Sequence, residues 1–441
     1  MREYFNQITL ELFKHIKTNE LLVINFDAEV SSFVRFNKAK IRQAGTVRQI
    51  SVTLSLSNNE NKNLKSSIRL NGDISKDISI LIKSINYLRR ELPELPKDPY
   101  MLFSRSNNST EITGIDKKVN DQEILDYILS KSKNNDMVGI YSSGYIYTAL
   151  ATSLGQTNWH SNYSFSFDFS IYNNNNNAIK LNYSSKRWDK SEFDRIFDSG
   201  LNKLKILSKT SKKIGTGSYT VYLEPSALSE IIDMMAWGGF SYKSNKIGTS
   251  PLHLLYKNEK SLHKSISIDE NIKDGISANF NSEGFIKPEE VSMISHGKYS
   301  TPLTSPRSSL EYSVKHNASD THEYPSSIDM RSGDISDENI LKTINNGIYI
   351  SNLWYLNFSD RNNGRMTGLT RFGCFIIENG ELVAPIETMR FDDSIFSMLG
   401  DNLIGLTKQR ELLIDSGTYE ERSTSSSRLP GALIDNFKMT L

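Results

Sequence analysis

Residues Glu224–Phe240 read EPSALSEIIDMMAWGGF, and within residues 213–441 the part Pro225–Trp237 carries the one strong helix signal. The rest of that half reads as strands joined by long loops. The expectation is therefore a mainly antiparallel β barrel- or sandwich-like unit with one prominent helix. The helix is apolar and holds no histidine. A helix-borne zinc protease site needs two neutral imidazoles close on one helical face, an adjacent glutamate and at least one further ligand. His15, His160, His253, His263, His296, His316 and His322 contain no pair at one-turn spacing. His322-Glu323 runs straight into Tyr324-Pro325, which breaks a helix.

Upstream, Ser208–Gly217 (SKTSKKIGTG) is the most linker-like passage, which places a domain boundary between 1–212 and 213–441. In the first part, Phe5, Ile8, Leu12, Phe13 and Ile16 fall at helical spacing. Leu21–Ser57 alternates apolar and polar residues and predicts strands, with a turn at or beside Gly45. Ile78, Ile82, Ile85, Leu88 and Leu92 predict a second helix, ended by Pro93 and Pro96. Residues 96–118 are polar and irregular, and Asp121–Ser132 reads as a short helix. Asp136–Gly155 and Thr157–Tyr172 read as strands about a turn at Gly155. In the second, Tyr163, Phe165, Phe167 and Phe169 mark one buried sheet face. The run Asn173–Asn177 is expected to be a hairpin loop, because Asn tolerates the left-handed conformation. Phe193, Ile196, Phe197, Leu201 and Leu204 define a further helix. Residues 295–337 show no periodicity and read as a long loop. The fold class is α+β, with antiparallel sheet and helices packed together in the N-terminal part.

Composition narrows the function. With 52 Lys and Arg against 51 Asp and Glu, no global charge draws the chain to nucleic acid or an anionic membrane. A single cysteine, Cys374, excludes an intrachain disulfide and a thiolate-cage zinc site, and its apolar strand-like setting favours a small buried hydrophobe. The N-terminus reads as an amphipathic helix and not a signal peptide, and no run of about 18 apolar residues occurs. A cytoplasmic location is expected. Walker-type, nucleophile-elbow and dinucleotide motifs are absent, and Ile214–Tyr219 (IGTGSY) lacks the third glycine.

Two sets of residues carry a resemblance. One is Glu224-Pro225-Ser226-Ala227 with Trp237-Gly238-Gly239-Phe240. The other is an ordered series: His296-Gly297, Asn363-Gly364, Thr367-Gly368, Arg371-Phe372-Gly373, Ile377–Glu381 and Pro385-Ile386. Together they resemble the TldD/PmbA family of two-subunit zinc metalloproteases, also called modulators of DNA gyrase. Phe36–Ile41 and Ala44-Gly45 resemble that family's early strand pair. The resemblance implies that the family's His-Glu-x-x-x-His positions fall on Ser229, Glu230 and Met234, and that its C-terminal cysteine falls on Tyr419 in Gly417-Thr418-Tyr419. No catalytic residue and no metal ligand is then expected in this chain. Zinc is expected only in a partner subunit, and Thr367, Gly368, Arg371 and Gly373 are candidate substrate-cleft residues. The implied partners are a TldD-like zinc subunit in a heterodimer, or a second copy in a homodimer, and a peptide held in extended form. The role implied is a TldE/PmbA-like subunit that shapes the cleft. A homodimeric binding protein without chemistry and a metal-independent hydrolase using Glu230 as base are the alternatives.

Overall fold

The computed structural model describes residues 1–114 and 120–441. Helix α1 (Arg2–Phe13) leads into the long strands β1 (Glu20–Asn37) and β2 (Lys40–Asn58), then β3 (Asn63–Leu70) and α2 (Ile74–Glu91). A short strand, β4 (Thr110–Thr113), interrupts the stretch expected to be irregular, of which residues 115–118 lie outside the described residues. Helix α3 (Asp121–Ser132) precedes β5 (Asp136–Thr152), β6 (Thr157–Tyr172), β7 (Ala178–Ser185) and α4 (Lys190–Leu207). These seven strands form one sheet in the order β3-β2-β1-β5-β6-β4, with β7 also on β6. All its pairings are antiparallel except β4 with β6.

Period-2 patterning explains which face is covered. Leu22, Ile24 and Phe26 of β1 with Val52, Leu54 and Leu56 of β2 pack against Phe5, Ile8 and Leu12 of α1 and Leu81, Ile85 and Leu88 of α2. Farther along, Phe165, Phe167 and Phe169 pack against Ile124 and Ile128 of α3 and Phe193 and Phe197 of α4. The aromatic stripe is thus a buried sheet face. The Asn run turns the β6–β7 hairpin: the Asn173 side chain accepts from the Asn175 and Asn177 N–H groups, and Asn176 adopts φ 59°.

The expected turn near Gly45 is corrected. Gly45 lies within β2 opposite Phe33, and the reversal occurs at Lys38-Ala39, with φ 51° and 53°. Positive φ at both central positions gives the turn the twist that matches its strands. Neither residue is a usual turn former, so composition hid it.

The second sheet has 11 strands. Strand β8 (Gly217–Leu223) feeds α5 (Pro225–Ala236). Then follow β9 (Ile268–Asn271), β10 (Glu290–Ser295), β11 (Lys298–Tyr299), β12 (Ser327–Met330), β13 (Gly347–Asp360), β14 (Arg365–Glu378), β15 (Glu381–Pro385), β16 (Arg390–Ser394), β17 (Leu403–Ile414) and β18 (Ser426–Met439). The pairings β8–β13, β13–β14, β14–β16, β16–β18 and β18–β8 return to their start, so the sheet closes into a barrel-like ring. Closure removes exposed strand edges there. The apolar side of α5 packs against this ring, with Leu228, Ile231, Ile232 and Met235 in one cluster with Val221, Ile350, Phe391, Ile434 and Phe437.

The stretch 295–337 contains β11, a helical turn at Pro306–Tyr312 and β12. A buried carboxylate organises it in place of an apolar pattern. Glu323 accepts from the Ser241 hydroxyl at 2.6 Å, the Lys243 N–H at 2.9 Å and the Ser305 N–H and hydroxyl at 2.8 and 3.0 Å. Among the described residues, no helix is long and apolar enough to cross a membrane.

Candidate functional site

Helix α5 is set into the ring by its first residues. The Glu224 carboxylate receives the Lys203 ammonium and the Tyr349 hydroxyl, while the Glu224 N–H donates to the Ile350 carbonyl at 3.0 Å. Glu224 is therefore an anchor. Pro225 then occupies the first helical turn, where its missing N–H leaves no intrahelical bond unmade. The 3.6-residue period sends Leu228, Ile231, Ile232 and Met235 into the core and turns Ser226, Ser229, Glu230 and Asp233 to the opposite face.

That polar face is the floor of a cleft of about 370 Å³. Its walls come from β6 and β7 (Asp168, Lys180, Asn182), from β13 (Asn352), from Tyr324, and from the end of β17 through the start of β18 (Asp415, Ser416, Ser425–Ser427). Lys180 pairs with Asp168 at 3.1 Å, and the Ser416 hydroxyl donates to the same carboxylate at 3.2 Å. Glu230 and Asp233 are open to the cleft, yet the surrounding protein thins their hydration. Desolvation, then the Glu230 and Asp415 charges, push the Asp233 carboxyl up to about 7. Desolvation likewise raises Glu230, with Lys180 opposing it. Burial, then Asp233 and Asp415, hold the Tyr324 phenol up at about 12.

Of the positions expected to replace a zinc site, Ser229 and Glu230 meet in this cleft. Met234 packs against the apolar core, and the Ser229 hydroxyl donates to the Ser226 carbonyl at 2.9 Å. Tyr419 stands elsewhere, 91% exposed on the loop 415–425. Its neighbours Thr418 and Glu420 border a separate cavity of about 340 Å³ beside Phe33, Arg35 and Val47. Among the described residues, no group of three or more His, Cys, Asp or Glu is arranged to hold a metal ion. The donor set does not fit the zinc that the family resemblance implies for catalytic subunits.

Thr367, Gly368, Arg371 and Gly373 all lie on β14 and do not line the cleft over α5. The Thr367 hydroxyl donates to the Phe391 carbonyl at 2.8 Å and accepts from Arg390 at 2.9 Å. A Cβ on Gly368 would meet the Phe391 ring and Leu356, and one on Gly373 would meet Ile179 at 2.7 Å, so both glycines serve close packing. The Arg371 guanidinium lies over the Trp354 ring, 3.8 Å from its centroid. Cys374 is buried, and burial pushes its thiol up to about 12, consistent with an inert packing role.

Sequence reasoning missed Asp233, Asp415 and Arg422. Asp233 was accessible, since it lies three residues beyond Glu230 on the same helical face. Arg422 pins the loop 415–425 to the first sheet. Its guanidinium donates to the Ser164 carbonyl and hydroxyl, both at 2.8 Å, and to Ser31 and the Gly144 carbonyl, both at 3.3 Å. Its N–H reaches Glu29 at 3.3 Å.

The family model described as the PmbA/TldA metallopeptidase C-terminal domain matches residues 216–441. The whole chain is similar in fold to a Thermotoga maritima protein described as a modulator of DNA gyrase, with TM-score 0.74 at 14% identity over 100% of both chains. It is also similar to TldE from Thermococcus kodakarensis, with TM-score 0.74 at 12% identity over 99% of each chain. A Bacteroides thetaiotaomicron protein described as a modulator of DNA gyrase gives TM-score 0.73 at 16% identity, over 100% of this chain and 98% of that one. No curated protein matches the chain in sequence.

Proposed function

The chain belongs to the PmbA/TldA metallopeptidase family, and we propose that within it the protein is a TldE-like subunit that lacks the zinc motif and shapes a peptide cleft for a zinc-bearing partner. The observation that carries this reading is the polar face of α5. It offers the cleft a hydroxyl and two carboxylates, Ser229, Glu230 and Asp233, where a catalytic subunit needs paired imidazoles. The fold similarity to TldE supports the same assignment. In this role the chain supplies walls and substrate access, and an extended peptide is bound largely through its main chain.

Metal analysis of the purified chain tests the reading. The isolated protein is expected to carry no stoichiometric zinc and to cut no peptide. Stoichiometric zinc that disappears in Glu230→Ala would overturn the assignment.

A second reading draws on Asp233, whose carboxyl near 7 beside Glu230 has the proton affinity of a general base. Its mark would be chelator-resistant peptide hydrolysis by the chain alone, lost in Asp233→Asn.

A further inference from the structure

We propose that the outer edge of β2 is a docking site for an acidic, extended segment of another protein, which adds to the first sheet as a further strand.

Main-chain pairing leaves this edge free. Strand β1 pairs with β2 along its whole length, whereas β3 covers β2 only from Ile50 to Ser57. The β1–β2 register is regular until the irregularity at Arg35/Phe36. From Gln43 to Gln49, therefore, β2 is regular and has β1 on one side and, among the described residues, no strand on the other. Seven residues at about 3.4 Å each give about 24 Å of open edge. Such an edge presents unpaired N–H and C=O groups, the template for an incoming strand. Every residue from Lys40 to Arg48 is exposed.

Charge selects the occupant. Residues 35–48 hold Arg35, Lys38, Lys40, Arg42 and Arg48 and no Asp or Glu. Among the described residues none of the five forms an ion pair within 4.0 Å. Two such edges repel one another, which disfavours a second copy docked edge to edge and favours an acidic segment. The free edge also offers carbonyls, which accept from the N–H groups of a strand and have nothing to accept from a phosphate backbone.

Gly45 supplies an independent observation. Its φ is not positive, and a Cβ built on it would meet nothing within 4 Å, so neither the turn nor the packing of this chain requires glycine there. Glycine inside a strand then marks a place where a ligand or another backbone comes close. The bare spot opens into the cavity of about 340 Å³ that Phe33, Val47 and Ile140 also line. An added strand lays every second side chain on this face, so apolar side chains there alternate with acidic ones.

Fluorescence anisotropy on the full chain, with hydrogen exchange read in parallel, tests the proposal with three labelled probes. These are a capped heptapeptide alternating leucine and glutamate, the same peptide with lysine for glutamate, and an oligothymidylate. The glutamate peptide is expected to bind about tenfold tighter than the lysine peptide and to slow amide exchange within Gln43–Gln49. The double variant Lys40→Glu, Arg42→Glu, at two exposed positions, is expected to abolish that preference. Gly45→Leu, which fills the bare spot, is expected to weaken the glutamate peptide about tenfold. Equal binding of the two peptides, a preference that survives the charge reversal, or binding without slowed exchange in Gln43–Gln49 overturns the proposal. Oligothymidylate bound as tightly as the glutamate peptide makes the edge a phosphate-binding surface and overturns it too, as does the absence of binding by every probe. The cleft over α5 contains none of these residues, so its reading stands or falls separately.

Discussion

Asp233 carries a pH signature of its own. Its folded carboxyl is raised to about 7 from 3.8, so between those values the folded chain holds a proton that the unfolded chain has released. Stability is therefore expected to fall as pH rises through that window, the reverse of a salt-bridged aspartate. Asp233→Asn should remove this part of the slope. Urea unfolding at about pH 5 and about pH 8 checks it: the variant should gain on the parent at the higher pH, and parallel behaviour would contradict the assignment. Arg422 predicts a larger effect. Arg422→Met strands the acceptors at Ser164 and Gly144 and leaves Glu29 without its nearby guanidinium. The cost is expected to be about 3 kcal/mol in equilibrium unfolding, with faster proteolytic cleavage within 415–425. The family resemblance singled out Ser229 and Glu230, which face the cleft, together with Met234, which packs into the core, while the β14 positions it offered for the cleft lie away from it. Asp415 and Arg422 were not readable, because their positions follow from contacts across the whole chain.

Secondary-structure elements divide in the same way. Helices α2, α3, α4 and α5 were legible because an apolar stripe and a capping or breaking residue coincide, as with Asp73 accepting from Lys76 N–H and Pro93 following α2. The turn between β1 and β2 was not, since Lys38-Ala39 takes a left-handed conformation without a residue that favours it. Replacing the pair by Asn-Gly is expected to stabilise the protein by about 1 kcal/mol, read as a rise in the denaturation midpoint. No rise would mean that surrounding contacts already offset the strain. The stretch 295–337 was illegible for another reason: a single carboxylate, Glu323, replaces periodic apolar contacts. Glu323→Ala is expected to cost about 2 kcal/mol and to raise amide exchange around Ser241–Lys243 and Ser305, where donors lose their acceptor. Exchange confined to distant segments would contradict this anchoring role.

For the whole molecule, the α+β class and the barrel-like second sheet followed from patterning. Closure of the ring through β18 and β8 did not, because that pairing joins residues about two hundred positions apart and leaves no local trace. The same closure sets α5 against the ring and turns its polar face to β6 and β7 of the first sheet. The central functional claim is that this face serves a catalytic centre held by another subunit. Native mass spectrometry of the chain co-expressed with a family subunit bearing His-Glu-x-x-x-His tests that claim most directly, since it reports partner and metal in one spectrum. The account predicts a one-to-one complex with a single zinc that stays with the partner when the subunits are separated. Zinc retained by this chain, or no association between the two, would contradict it.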